Sequence, residues 1–179
     1  MLNDIEKVLL SEKQIDDKVK EIGAAISKDF EGKEVLLVGI LKGSVVFMAD
    51  LMRAITIPVA IDFMAVSSYG SGSKSSGVVK IVKDLQEDIA GKDVIVVEDI
   101  LDSGRTLSYL KKHMEAKGAN SISIVTLLDK PERRVVDVYP QYTGFNVPDE
   151  FVVGYGLDFA EKYRNLPFIG VLKPCVYEK

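Results

Sequence analysis

Of the 179 residues only one is a cysteine, Cys175, and only one a histidine, His113. A single thiol forms neither an intrachain disulfide nor a Cys-x-x-C redox pair, and one His with one Cys falls short of a structural zinc site. Ser-His-Asp or Cys-His catalysis would rest on His113 alone, and that residue sits mid-helix beside Lys112, where a surface position is expected. Long apolar runs are also missing. The longest, residues 35–41 and 54–61, are far below the roughly 20 residues that span a bilayer, and the opening MLNDIEKVLL is too charged for a signal peptide. Positive charge is not in excess either: 27 acids against 23 bases leave a net charge of -4, which gives no global attraction for nucleic acid or an anionic membrane. A reduced, cytoplasmic protein without either partner is expected.

What is present is an ordinary globular composition, 47% apolar and 28% charged. At this length a single domain over residues 1–179 buries roughly 70% of the surface of its unfolded chain, so the core needs no staples. Ile15, Val19, Ile22 and Ile26 recur at helical spacing after Ser11, which forms a capping-box pattern with Gln14, and Gly32 ends the segment. Residues 35–40, VLLVGI, read as a strand buried on both faces. A helix over about 44–54 and a strand over 57–66 follow. Residues 67–77, with six Ser and three Gly, cannot pack a core. The alternating VVKIVKDL after them suits the return strand of a hairpin. VIVV from Val94 is a second buried strand that ends in Glu98 and Asp99. Residues 104–117 are helical, with Leu107, Leu110 and Met114 on one side, and 121–128 form a further strand. Alternating strands and helices imply an α/β fold with a parallel sheet and right-handed crossovers. Beyond Pro131 the pattern loosens, with residues 151–153 as the clear short strand, and a small second layer is expected there.

Ligands of open parallel sheets bind at the carboxyl ends of strands. Residues 96–107, VVEDILDSGRTL, place a buried strand, three acids and Ser-Gly-Arg-Thr at the start of a helix. Amide groups around Ser103, Gly104, Arg105 and Thr106, with the helix dipole, make a phosphate cradle, and the two hydroxyls suit a phosphate monoester. Glu98 and Asp99 do not belong to a purely anionic site; they call for hydroxyls or a metal, and a ribose diol with Mg²⁺ meets both needs. Any one of these residues alone reads as a cap or a solvated strand end. The whole run does not. The GSGSKSS around Lys74 matches neither a P-loop nor a dinucleotide fingerprint.

Two apolar residues, two acids, two apolar residues and Asp-Ser-Gly-Arg-Thr resemble the phosphoribosyl pyrophosphate signature of the type I phosphoribosyltransferases. Further segments resemble the 6-oxopurine branch, the hypoxanthine-guanine phosphoribosyltransferases: Leu41-Lys42-Gly43, Ser68-Tyr69, Leu128-Asp129-Lys130 and PDEFVVGYGLDFAEKYR over 148–164. The resemblance runs from about Val35 to Leu172. It implies a parallel-sheet core over about 33–130 with helices on both faces, a flexible hairpin lid that begins at Ser68 and Tyr69, and a small C-terminal hood, mainly 131–179 with the N-terminal segment. It implies transfer of a phosphoribosyl group from phosphoribosyl pyrophosphate to hypoxanthine or guanine by a purine-salvage enzyme that is a dimer or tetramer.

The roles it implies are these. Asp102 is the general base for the purine proton. Glu98 and Asp99 hold the ribose diol and, through water, metal; Ser103, Gly104, Arg105 and Thr106 hold the 5'-phosphate, with Arg105 where many relatives have Lys. Lys42, Gly43 and Arg164 bind pyrophosphate, and the peptide between Leu41 and Lys42 can be cis. Lys130 reads the oxygen at position 6 of the purine, Phe151 stacks on its face, and the backbone of Val152 reads its edge. Asp158 binds Mg²⁺ directly. The competing reading is a non-catalytic regulator that senses the ribosyl donor and binds nucleic acid; it calls for a basic face or an added DNA-binding domain, which the sequence lacks, and leaves Lys130, Phe151 and Asp158 without purpose.

Overall fold

A computed structural model describes residues 1–68 and 79–178 of the chain, the side chain of residue 68 excepted. Tyr69 and the rest of the lid segment therefore lie outside the described residues, as does the side chain of Ser68. The three apolar runs become the centre of a sheet: β2 (Val35–Leu41), β5 (Asp93–Leu101) and β6 (Ser121–Asp129). With β3 (Val59–Ser68), β4 (Val79–Lys83) and β7 (Tyr142–Asn146) they form six strands in the order β4-β3-β2-β5-β6-β7. All neighbours are parallel except β3 and β4, the hairpin pair. β4 shows the alternation read from VVKIVKDL, with half-buried and exposed side chains in turn.

Why these strands are apolar along most of their length is visible in their two faces. Leu37, Ile95, Val97, Val125 and Leu127 pack toward α1 (Glu12–Asp29) and α2 (Val45–Ala54), while Leu36, Val38, Val94, Val96 and Ile124 pack toward α3 (Arg105–Ala116). Each fully buried side chain of this kind contributes about 1.5–3 kcal/mol relative to exposure. α1 begins as its sequence indicates: Ser11 Oγ accepts from the Gln14 amide and the Gln14 side chain accepts from the Ser11 amide, a closed capping box.

A second sheet of three strands, β1 (Ile5–Leu10), β9 (Ile169–Leu172) and β8 (Val152–Val153), is antiparallel throughout. A short α4 (Pro174–Tyr177) follows it. The expected hood is this sheet, but two readings need correction. β7 pairs parallel with β6, so the core sheet extends past residue 130 to Asn146. Phe151 precedes its strand and does not belong to it. His113 also differs from the expected surface residue: it is partly buried, with Nε2 3.1 Å from both carboxylate oxygens of Asp84 after β4. Among the described residues no helix is long and apolar enough to cross a membrane.

Candidate active site at the strand ends

The direction of travel across the large sheet reverses between β2 and β5: β3 lies on one side of β2, and β6 and β7 lie beyond β5. Loops after β2 and β5 diverge there and leave a crevice. Two cavities meet in it. One, of about 240 Å³, is lined by Gly43, Glu98, Asp99, Ser103, Gly104 and Thr106 among others; the other, of about 340 Å³, by Lys130, Asp149, Phe151, Val152, Asp158 and Tyr177 among others. Ile100 and Asp102 line both.

The first cavity brings together the residues expected to hold the 5'-phosphate. α3 starts at Arg105 with Gly104 as its N-cap, at φ 81°, and Ser103 Oγ accepts from the Arg105 amide at 3.4 Å. A non-glycine residue here would be strained, and its Cβ would stand 2.5 Å from Val138. This helix start, whose first amides suit an anion, lies at the cavity that Ser103, Gly104 and Thr106 line. Arg105 is exposed and its side chain is absent from the cavity wall. Gly43 closes the opposite side so tightly that a Cβ on it would fall 1.6 Å from Oδ2 of Asp99. The Leu41-Lys42 peptide is cis.

Glu98 and Asp99 sit side by side under this cavity. Glu98 is partly exposed along its length, yet its Oε2 is sealed from solvent without a hydrogen-bond partner. Burial, then the neighbouring negative charge of Asp99, pushes the Glu98 carboxyl well above the usual carboxylate range. Burial also raises Asp99, against hydrogen bonds from Glu98 and from the amide of Ile100. Two acids in this state share a proton or wait for a cation. Among the described residues no group of three or more His, Cys, Asp or Glu could hold a metal alone. That donor set fits Mg²⁺ held by one or two carboxylates together with substrate oxygens and water.

The register of β5 and β6 places Leu101 beside Asp129, so Asp102 and Lys130 leave neighbouring strands together. Lys130 is not a solvated turn residue. It is 6% exposed, with Nζ donating to the Glu150 carbonyl at 2.7 Å and standing 3.5 Å from Asp149. The Phe151 ring is stacked on Tyr177 at 4.8 Å and meets the edge of Phe159 at 5.5 Å.

The cationic residues expected at pyrophosphate are brought together from a distance. Lys42 Nζ lies 3.1 Å from one oxygen of Glu161, and Arg164 Nη2 lies 3.3 Å from the other and 2.9 Å from Asp158. A larger recess, of about 820 Å³, lies between α1, α2 and residues 164–167. Its Asp50 is taken by Arg53 and Tyr155, and its Asp16 by Lys20. It holds none of the buried acid pair, and apart from Arg164 the residues expected at the site do not line it.

Arg133, Arg134, Asp149 and Tyr177 are site neighbours that the sequence reading passed over. Arg134 pairs with Asp129 and donates to the carbonyls of Asp102 and Val138. Only the double arginine after Lys130 signalled them, and a local pattern does not say which acid an arginine will meet.

The model of the phosphoribosyl transferase domain matches residues 7–160. A hypoxanthine-guanine phosphoribosyltransferase of Lactococcus lactis is 56% identical over 175 residues, 98% of this chain and 95% of that protein. One of Bacillus subtilis is 56% identical over 178 residues, 99% of each. The crystal structure of a hypoxanthine phosphoribosyltransferase from Staphylococcus aureus superposes with a TM-score of 0.96 at 52% identity, covering 100% of this chain and 97% of that one.

Proposed function

The chain belongs to the phosphoribosyltransferase family, in its hypoxanthine-guanine branch, and from that premise we propose how its own residues divide the work. It is a purine-salvage enzyme: the phosphoribosyl group of phosphoribosyl pyrophosphate passes to hypoxanthine or guanine, giving IMP or GMP and pyrophosphate. The observation that carries the assignment of residues is that a phosphate cradle and a base-sized cavity share the wall formed by Ile100 and Asp102.

The 5'-phosphate docks on the amides of Ser103, Gly104, Arg105 and Thr106, with the hydroxyls of Ser103 and Thr106 as added donors. Glu98 and Asp99 orient the ribose diol. In the second cavity Phe151 stacks on the purine, the backbone of Val152 reads its edge, and Lys130 donates to the oxygen at position 6. Asp102, between the two, takes the purine proton as C1 of the ribose meets the base. Lys42, Gly43 and Arg164 receive the departing pyrophosphate. Ser68 and Tyr69 open the lid that excludes water. Asp158 directly, and Glu98 and Asp99 through water, would hold Mg²⁺, which would supply charge neutralisation for the departing pyrophosphate. Residues 1–179 act as one unit, cytoplasmic and homo-oligomeric.

Pyrophosphate release, followed with each purine in turn, tests the reading. Turnover with hypoxanthine and guanine, lost in chelator and restored by Mg²⁺, is expected. Donor binding without product from any purine, metal present, would instead favour the regulator.

A further inference from the structure

Arg133 sits in the turn that follows Lys130. Its Nε is 2.8 Å from Oδ1 of Asp102, and its Nη1 donates to Oδ1 of Asp149 at 3.0 Å. Asp149 in turn faces Lys130 Nζ at 3.5 Å. Along the wall of the base cavity the charges thus alternate: Asp102, Arg133, Asp149, Lys130.

Arg133, Asp102 and Asp149 are each about half exposed, so their ion pairs contribute little to stability. Their effect is geometric. The Asp102 Oδ1 atom is sealed from solvent, and its contact with Arg133 is an ion pair without aligned hydrogen-bond geometry. With that oxygen engaged, Oδ2 is the one left to face a base. A carboxylate otherwise turns broadly about its terminal torsion. The next residue fixes the main chain: Arg134 Nε donates to the Asp102 carbonyl at 3.1 Å, and the Val135 amide donates to the Ser103 carbonyl at 3.1 Å.

We propose that Arg133 is a positioning residue for Asp102, aiming Oδ2 at the purine proton, and that Asp149 ties this setting to Lys130. Base reading and proton removal then share one geometry. The inference rests on Asp102 acting as the general base.

The test is steady-state kinetics of the full chain with hypoxanthine, phosphoribosyl pyrophosphate and Mg²⁺, comparing Arg133→Gln, Arg133→Lys, Asp102→Asn and the Asp102→Asn/Arg133→Gln double variant. Arg133→Gln is expected to lower kcat about 10- to 100-fold, the scale of a misaimed catalytic group. KM for the donor should stay within about twofold, because the phosphate cradle is untouched. Arg133→Lys should recover part of the loss, and in the Asp102→Asn background Arg133→Gln should cost nothing more. A parental kcat for Arg133→Gln, or a loss equally large without Asp102, overturns the inference. Unchanged turnover in Asp102→Asn is a different failure, that of the base assignment itself. If Arg133→Gln does not fold, Asp149→Asn gives the same readout at about threefold, and no effect there also overturns the inference.

Discussion

Glu98→Gln should make the protein more stable and less able to hold its donor. The carboxyl of Glu98 has an oxygen sealed from water without a partner, and Asp99 is beside it. An unsatisfied buried acceptor costs about 1–3 kcal/mol, and glutamine keeps the volume, removes the charge and offers Asp99 a donor. At this chain length each kcal/mol moves Tm by about 2–4 °C, so the variant should melt about 2–12 °C higher near neutral pH. The pH dependence has a definite sign. The folded-state carboxyl is raised well above 4.5, so between about that value and the raised one the native state binds more protons than the unfolded state. Stability contributed by the protonated group is therefore full at low pH and lost as pH rises through the window. The advantage of Glu98→Gln should be small at pH 4.5 and larger at pH 8. Thermal melts at both values check this, repeated with phosphoribosyl pyrophosphate and Mg²⁺, which should raise Tm more in the parent. A variant that melts lower than the parent at pH 8, or a gap independent of pH, would refute the reasoning.

Gly43→Ala puts a Cβ where Asp99 Oδ2 stands, and displacement of that acid should raise KM for the donor and lower kcat/KM by about 100-fold, the cost of a misplaced binding group; parental kinetics would contradict the packing. Lys130→Met should erode the preference for hypoxanthine over adenine, which a donor-only side chain at position 6 can set at roughly 10⁴-fold; an unaltered ratio of kcat/KM values, or efficient adenine use by the parent, would sink that role. Ser11→Ala opens the capping box of α1 and should lower stability by about 1 kcal/mol in urea denaturation, with kcat unchanged; a loss of activity at equal stability would show that α1 reaches the site.

The legible parts of the fold were those whose physics is local. β2 and the middle of β5 are covered on both faces, so they read as continuous apolar runs, β6 reads nearly so, and the acids and the Ser-Gly-Arg-Thr are written in consecutive residues from Glu98 to Thr106. β1 was not legible as a strand because Glu6 and Lys7 interrupt it, nor β9 because four residues carry little pattern. β7, YTGFN, is an edge strand only partly buried, and its tie to β6 is set by the sheet. In the site, the acids and phosphate donors could be named from their run. The partnership of Asp102 with Arg133 could not, since it depends on how β5 and the turn after β6 come side by side.

The small sheet joins the two extremes of the described chain: Ile5 lies opposite Leu172, and Val152 opposite Val171. Synthesis supplies β1 first and its partner last. By the time residue 146 has been made, every strand of the large sheet exists, together with the cradle, Asp102 and Lys130. What is lacking is β8, with Phe151, Val152, Asp158 and Arg164, and the strand against which both β1 and β8 lie. Domains fold as units during synthesis, so on the proposed roles a nascent chain without that strand should hold neither donor nor base. A chain ended after residue 168 loses the core residues Ile169 and Val171 and should bind neither phosphoribosyl pyrophosphate nor purine in calorimetry; binding of either at the parent's strength would disprove this. On that reading the strand that pairs with both β1 and β8 makes the two halves of the site usable together.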